Sequence, residues 1–294
     1  MKFRLLIILL IMVTHSFAMS KNDKDTKYYL IRLDDMGMSH SVNLAVKEVI
    51  ETGLPVSTSV MFACPWYQEA VDILKQHPEV SVGIHLTLNA EWKNYRWGPI
   101  AGKDAVPSLV DEHGYFLPAR SKLYAQNPDL GEIELELRTQ IQRAMNSGIR
   151  IDYVDYHMGA AVQTVETREV VEKLAAEYGL GMMYYFDEKS ASSTYFPSHP
   201  AKLDSLIANV GRLEPGYNLQ VVHVALDTPE MQAMEDLNEF GLREMSKHRQ
   251  GELDAITSPE FRKAIEESNL TPITYRDLIS MVGLENMKRP DLEE

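Results

Sequence analysis

The sequence predicts an α/β protein: a single-domain, distorted (β/α) barrel with about seven parallel strands. Three observations predict it. Short apolar runs rich in β-branched residues alternate with helix-periodic segments, the pattern of a parallel sheet with helices outside. Those runs are mostly continuous in hydrophobicity, as strands buried on both faces are. The chain has 294 residues, 45% hydrophobic and 24% charged, and barrel folds routinely take about 200–250 residues as one domain. No composition break asks for a second domain, and no short repeat or low-complexity tract is present.

The N-terminus reads separately. Lys2 and Arg4 are followed by an unbroken apolar run from Leu5 to Val13 and by small residues around Ser16 and Ala18. That order is a secretory signal peptide over residues 1–18. The run is too short for a membrane span, which needs roughly 20 residues, so the expectation is an exported, periplasmic or extracellular protein with no membrane span. Residues 19–27 read as a polar spacer, and the barrel occupies 28–294. The formal charge of −14 argues against nucleic acid, whose binding rests on phosphate attraction. Cys64 is the one cysteine, so no internal disulfide can form and the fold must stand on its core.

Strands are expected at 28–33 (YYLIRL), 56–62, 80–88 (VSVGIHLTL), 151–156, 181–186, 219–225 (LQVVHVA) and 272–274. Helices are expected at 41–52, 66–76, 130–147, 166–178, 201–210, 229–240, 258–268 and 275–282. Glycines and prolines punctuate most of them, with Ser258-Pro259-Glu260 a clear helix start. The long stretch 89–128 has loop composition, and loops of that length in compact domains are usually functional.

Asp and His residues gather at one kind of place. Asp34 and Asp35 end the first strand, His85 lies near the end of the third, Asp155 and His157 close the fourth, and His223 lies near the end of the sixth. Parallel α/β barrels build their active sites at the C-terminal ends of the strands. Two imidazoles and one carboxylate make a three-ligand site for a divalent cation and leave a position for water. The second carboxylate of the pair can accept a proton, and a separate histidine can donate one to a leaving group. The set is that of metal-assisted hydrolysis, with Zn, Mn, Co, Ni or Mg all compatible. Each residue alone is ordinary; their shared position at the rim carries the reading.

Several strings carry a family resemblance. LIRLDDMGMSHSVNLAVKEVIETG resembles the opening of YdjC-like carbohydrate deacetylases, with Asp34, Asp35, Gly37 and, in the first helix, Asn43. VGIHLTL with His85, IDYVDYHMG with Asp155 and His157, LQVVHVALD with His223, and the tail from Ile256 to Leu278 are similar to later family segments. The resemblance implies a distorted barrel that removes acetyl groups from acetylated sugars. It implies Asp35, His85 and His157 as ligands of one divalent metal, Asp34 as general base and His223 as acid, and it places Asn43 with the substrate-binding residues. Two departures stand out. Gly159 occupies a place where many members carry a second histidine, and His223-Val224-Ala225 replaces a common His-Pro-Gly.

Trp92, Tyr95 and Trp97 follow the strand of His85 and are candidates for stacking on sugar rings; a loop pinned by its own aromatic cluster is the competing reading. Rival functions are another metal hydrolase on this scaffold, an esterase or phosphodiesterase, and a non-catalytic carbohydrate-binding protein with a structural metal. Oligomeric state stays open, a homodimer included.

Overall fold

The computed structural model describes residues 25–291. The expected signal peptide lies outside the described residues, as does most of the expected spacer. The spacer's last residue, Lys27, already belongs to the first strand.

Eight parallel strands form one sheet: β1 (Lys27–Met36), β2 (Ser57–Val60), β3 (Ser81–Leu86), β4 (Tyr153–Tyr156), β5 (Gly181–Met182), β6 (Lys189–Ser190), β7 (Gly216–Val222) and β8 (Leu270–Ile273). Their order is β5-β4-β3-β2-β1-β7-β6. β7 takes one edge of β1 from Lys27 to Leu33. The other edge is shared: β8 pairs with Lys27–Leu30 and β2 with the half from Arg32 to Met36. The sheet curls into a distorted barrel with helices outside, and the chain forms a single domain, as the alternation predicts.

The helices that pack outside obey local rules. His40–Glu51 buries Val42, Ala45, Val46, Val49 and Ile50, one apolar stripe, and Ser39 caps it by accepting from the Val42 N–H. Val165–Tyr178 begins with a reciprocal cap between Thr164 and Thr167 and ends at Gly179 in the left-handed region.

Several elements differ from expectation: the strand expected over 181–186 shrinks to Gly181–Met182, and β6 was not expected at all. The helix expected over 229–240 shrinks to Pro229–Gln232. The loop 89–128 contains the short helix Arg120–Ala125. A helix the sequence pattern did not suggest, Met245–Thr257, packs against the rim. Its buried face includes Ser246, Arg249 and Glu252, so the 3.6-residue periodicity of apolar side chains is blurred. Among the described residues no helix is long and apolar enough to cross a membrane.

Candidate active site

Asp34 and Asp35 are adjacent in sequence, and in a regular strand adjacent side chains point to opposite faces. β1 avoids this. Between Leu33↔Thr58 and Met36↔Val60 it holds one more residue than β2 does, a β-bulge, with Asp35 at φ 67°. A non-glycine residue held in the left-handed region is costly and often marks a functional site. The result is that both carboxylates line one cavity of about 590 Å³.

At the floor of that cavity three buried donor atoms converge. Asp35 Oδ1 lies 3.3 Å from His85 Nε2 and 3.2 Å from His157 Nδ1. The two ring nitrogens are 3.3 Å apart. Each donor is aimed by an ionic partner on its far side. His85 Nδ1 is 3.0 Å from Asp155 Oδ1. His157 Nε2 is 3.0 Å from Glu91 Oε2. Arg249 Nη2 donates to Asp35 Oδ2 at 2.6 Å. Carboxylates on the outer nitrogens place the ring protons outward, so two imidazole lone pairs and one carboxylate oxygen face the centre.

The set fits a divalent cation on three grounds. Asp35 Oδ1 is buried without a hydrogen bond of acceptable geometry, an orphan that needs an explanation. Donors about 3.3 Å apart suit bonds of about 2.0 Å in a tetrahedral site. The charges also agree. Around the floor Asp34, Asp35, Glu91 and Asp155 face Arg32 and Arg249, all buried, which leaves two negative charges in excess when both histidines are neutral. In the metal-free chain protons fill that deficit. Burial opposes a charged His85, but Asp155 and Asp34 outweigh it and raise the imidazole to about 10. His157 rises to about 9, burial being outweighed by Glu91 and Asp35. Asp35 stays well below the usual carboxylate range; burial opposes its charge, and Arg249 and the two histidines overcome it. A second group, Asp34, His85 and Asp155, also has ligand-like spacing. There the Arg32 guanidinium already stands between the carboxylates, with Nε 2.6 Å from Asp34 and 2.9 Å from Asp155.

Asp34 is held on both oxygens by Arg32, at 2.6 and 2.8 Å. Burial opposes its charge, and Arg32 and His85 more than compensate, so the carboxyl lies below its ordinary range. Asp34 Oδ2 is 3.9 Å from His223 Nε2. His223 sits one residue past β7, partly exposed on the cavity wall, with its backbone N–H donating to Glu252 Oε2 at 2.7 Å.

The sequence-predicted residues therefore separate. Asp34, Asp35, His85, His157 and His223 meet in one cavity, and Trp92 lines it. Asn43 does not reach it. Its side chain accepts from the Gly37 N–H and donates to the Trp66 carbonyl and Glu69, tying the turn after β1 to the next helix. Trp97 is buried and donates to the Asn89 carbonyl, and the Tyr95 hydroxyl donates to the Met38 carbonyl. Neither lines the cavity; both pin their own loop, the competing reading of that aromatic cluster. Pattern reasoning missed Glu91, Arg32 and Arg249 as members of the site. Arg32, inside the string LIRLDD, was the most accessible of the three, since a charge in an apolar strand demands a partner.

Comparison with known proteins agrees with this architecture. The family model described as YdjC-like protein matches residues 29–267. A carbohydrate deacetylase of Brevibacillus brevis is 29% identical over 85% of this chain and 98% of its own length. A carbohydrate deacetylase of Geobacillus stearothermophilus is 27% identical over 87% of this chain and 99% of its own. Among solved structures, an Enterococcus faecalis protein described as a candidate cellobiose-phosphate cleavage protein superposes with a TM-score of 0.71 at 24% identity, covering 86% of this chain and 99% of its own. Fold, rim chemistry and a match over most of the chain converge, and the chain belongs to the family of YdjC-like proteins.

Proposed function

We propose that the protein is a metal-dependent deacetylase that hydrolyses acetyl groups from acetylated amino sugars or their oligosaccharides. The observation that carries the reading is the convergence of Asp35 Oδ1, His85 Nε2 and His157 Nδ1 beside an ionised Asp34 that faces His223. Relatives named carbohydrate deacetylase support the substrate class.

The cation that Asp35, His85 and His157 would hold supplies a Lewis acid and, in good zinc sites, a water with its pKa lowered to about 7. The protein's own groups do the rest. Arg249 presents Nε and Nη1, both buried without partners, as donors for an acceptor entering the cavity; a carbonyl oxygen gaining negative charge is such an acceptor. Asp34, kept charged by Arg32, takes the proton from the attacking water. The new C–O bond forms first, leaving the former carbonyl oxygen negatively charged on a tetrahedral carbon, and the C–N bond breaks as that carbon returns to a carbonyl. His223, on the open side of the same wall, gives its proton to the departing amine. Acetate and the free amino sugar leave without a covalent enzyme intermediate.

The test uses the purified chain and N-acetylated chito-oligosaccharides, with acetate release measured before and after chelation and metal restoration. Chelation is expected to abolish release. Asp34→Asn is expected to lower turnover by about 10²–10⁴-fold while the bound metal stays stoichiometric. Release that survives thorough chelation would sink the metal-dependent reading. We also place the reaction outside the cytoplasm, on the signal-like order of residues 1–18. N-terminal sequencing of protein recovered from expressing cells should begin near Met19; an intact Met1 on the active protein overturns export.

A further inference from the structure

The two most exposed large apolar side chains among the described residues are Phe196, 69% exposed, and Phe240, 61% exposed. They lie on different segments. Phe196 follows β6, and Phe240 precedes the helix Met245–Thr257. Both line the cavity that holds Asp34 and His223. Exposed aromatic surface carries a solvation cost, and two such rings at the mouth of one catalytic cavity mark a binding surface.

The rings connect to the chemistry. Phe196 meets Tyr195 edge-on, with centroids 5.2 Å apart at 84°. Tyr195 meets His223 in the same manner, at 6.3 Å and 74°. An aromatic wall therefore runs from the mouth to His223 in two ring-to-ring steps. Trp92 lines the same cavity, and Arg120 stands at its rim with no hydrogen bond or ion pair among the described residues.

We infer that Phe196 and Phe240 form a subsite for a second sugar ring, next to the ring that loses its acetyl group, so that the substrate is a glycan of at least two residues. This rests on the deacetylase reading above. Pyranose rings carry their C–H groups on their faces and their hydroxyls at their edges. A ring face packs on an aromatic side chain while its edge keeps water, which suits side chains that are more than half exposed. The cavity volume, about 590 Å³, lies within the roughly 300–1,000 Å³ of pockets for drug-sized ligands. Of the three expected platforms, Tyr95 and Trp97 are spent on holding their loop and Trp92 lines the cavity but is buried, so the two exposed phenylalanines are the aromatic surface at the mouth.

The test separates binding from turnover. Asp34→Asn protein and the same protein carrying F196A and F240A are titrated with N-acetylglucosamine, its β-1,4-linked dimer and its trimer by calorimetry. Side chains this exposed can be truncated without emptying a core, and a thermal melt checks it. The expected result is a loss of about tenfold in affinity for the dimer and trimer, with a much smaller loss for the monosaccharide. Equal losses at every length, or no loss, overturn the subsite. An alkyl N-acetylglucosaminide is titrated beside them, and a larger loss for it than for the dimer also overturns the subsite, since the mouth then takes an alkyl chain. Failure of acetate release with length-dependent binding intact would instead strike the deacetylase reading and leave the subsite standing.

Discussion

His157 turns Nδ1 rather than Nε2 toward Asp35, because Glu91 holds the other nitrogen. That carboxylate fixes the ring's tautomer and raises its basicity as a ligand. Glu91→Gln keeps the shape and removes the charge. Affinity for zinc, measured by competition with a chromophoric chelator, is expected to fall about 10–100-fold with little change in the melting temperature of the metal-free chain. Undiminished affinity would mean that Glu91 only fills space. The three residues that converge were legible in the sequence because strand ends are legible: Asp35, His85 and His157 each terminate or follow an apolar run. Their holders were not. Glu91 sits in a loop without periodicity, and Arg249 sits on a helix whose inward face mixes polar and apolar side chains. Asn43, which the family resemblance placed with the substrate-binding residues, makes its three hydrogen bonds with the protein's own backbone and Glu69.

The helix Met245–Thr257 sets the second layer of the site through Arg249 and Glu252. Glu252 also pairs with the buried Lys202 at 3.2 Å, so the helix is positioned by charges as much as by Met245, Leu253 and Ile256. Gly251 lets it approach the turn His199–Ala201. A Cβ at that position would stand 2.7 Å from the His199 carbonyl oxygen, a backbone atom with little room to yield. Gly251→Ala pits a gain in helix propensity of up to about 1 kcal/mol against overpacking that typically costs about 1–3 kcal/mol. Net destabilisation of about 1 kcal/mol is expected in urea denaturation; a stabilised variant would show that the contact relaxes freely. A related constraint acts at Gly159, φ 70°, where a Cβ would come within 2.9 Å of Arg120 Nη1. Here the space beside Gly159 is taken by an arginine from the neighbouring short helix. The sequence alone does not show that contact, because residues 120 and 159 are brought together only by the fold.

At the scale of the whole molecule the architecture was readable because strand and helix periods alternate cleanly and the strands are buried on both faces. β6 escaped notice because it is two exposed residues, Lys189 and Ser190, recruited only by pairing with β7. The sharing of one edge of β1 between β2 and β8 was equally hidden, since register is a property of partners and not of a single segment. That arrangement sets an order of events during synthesis. β1 leaves the ribosome first and carries Asp34 and Asp35 with it, yet half of one edge stays open until Leu270–Ile273 emerges, and the other edge until Gly216–Val222 does. Such distant pairings are slow to close. The nascent chain accordingly holds its two aspartates on an unfinished strand for most of translation, and the rim they share with His85, His157 and His223 is assembled only after Gly216–Val222 has paired.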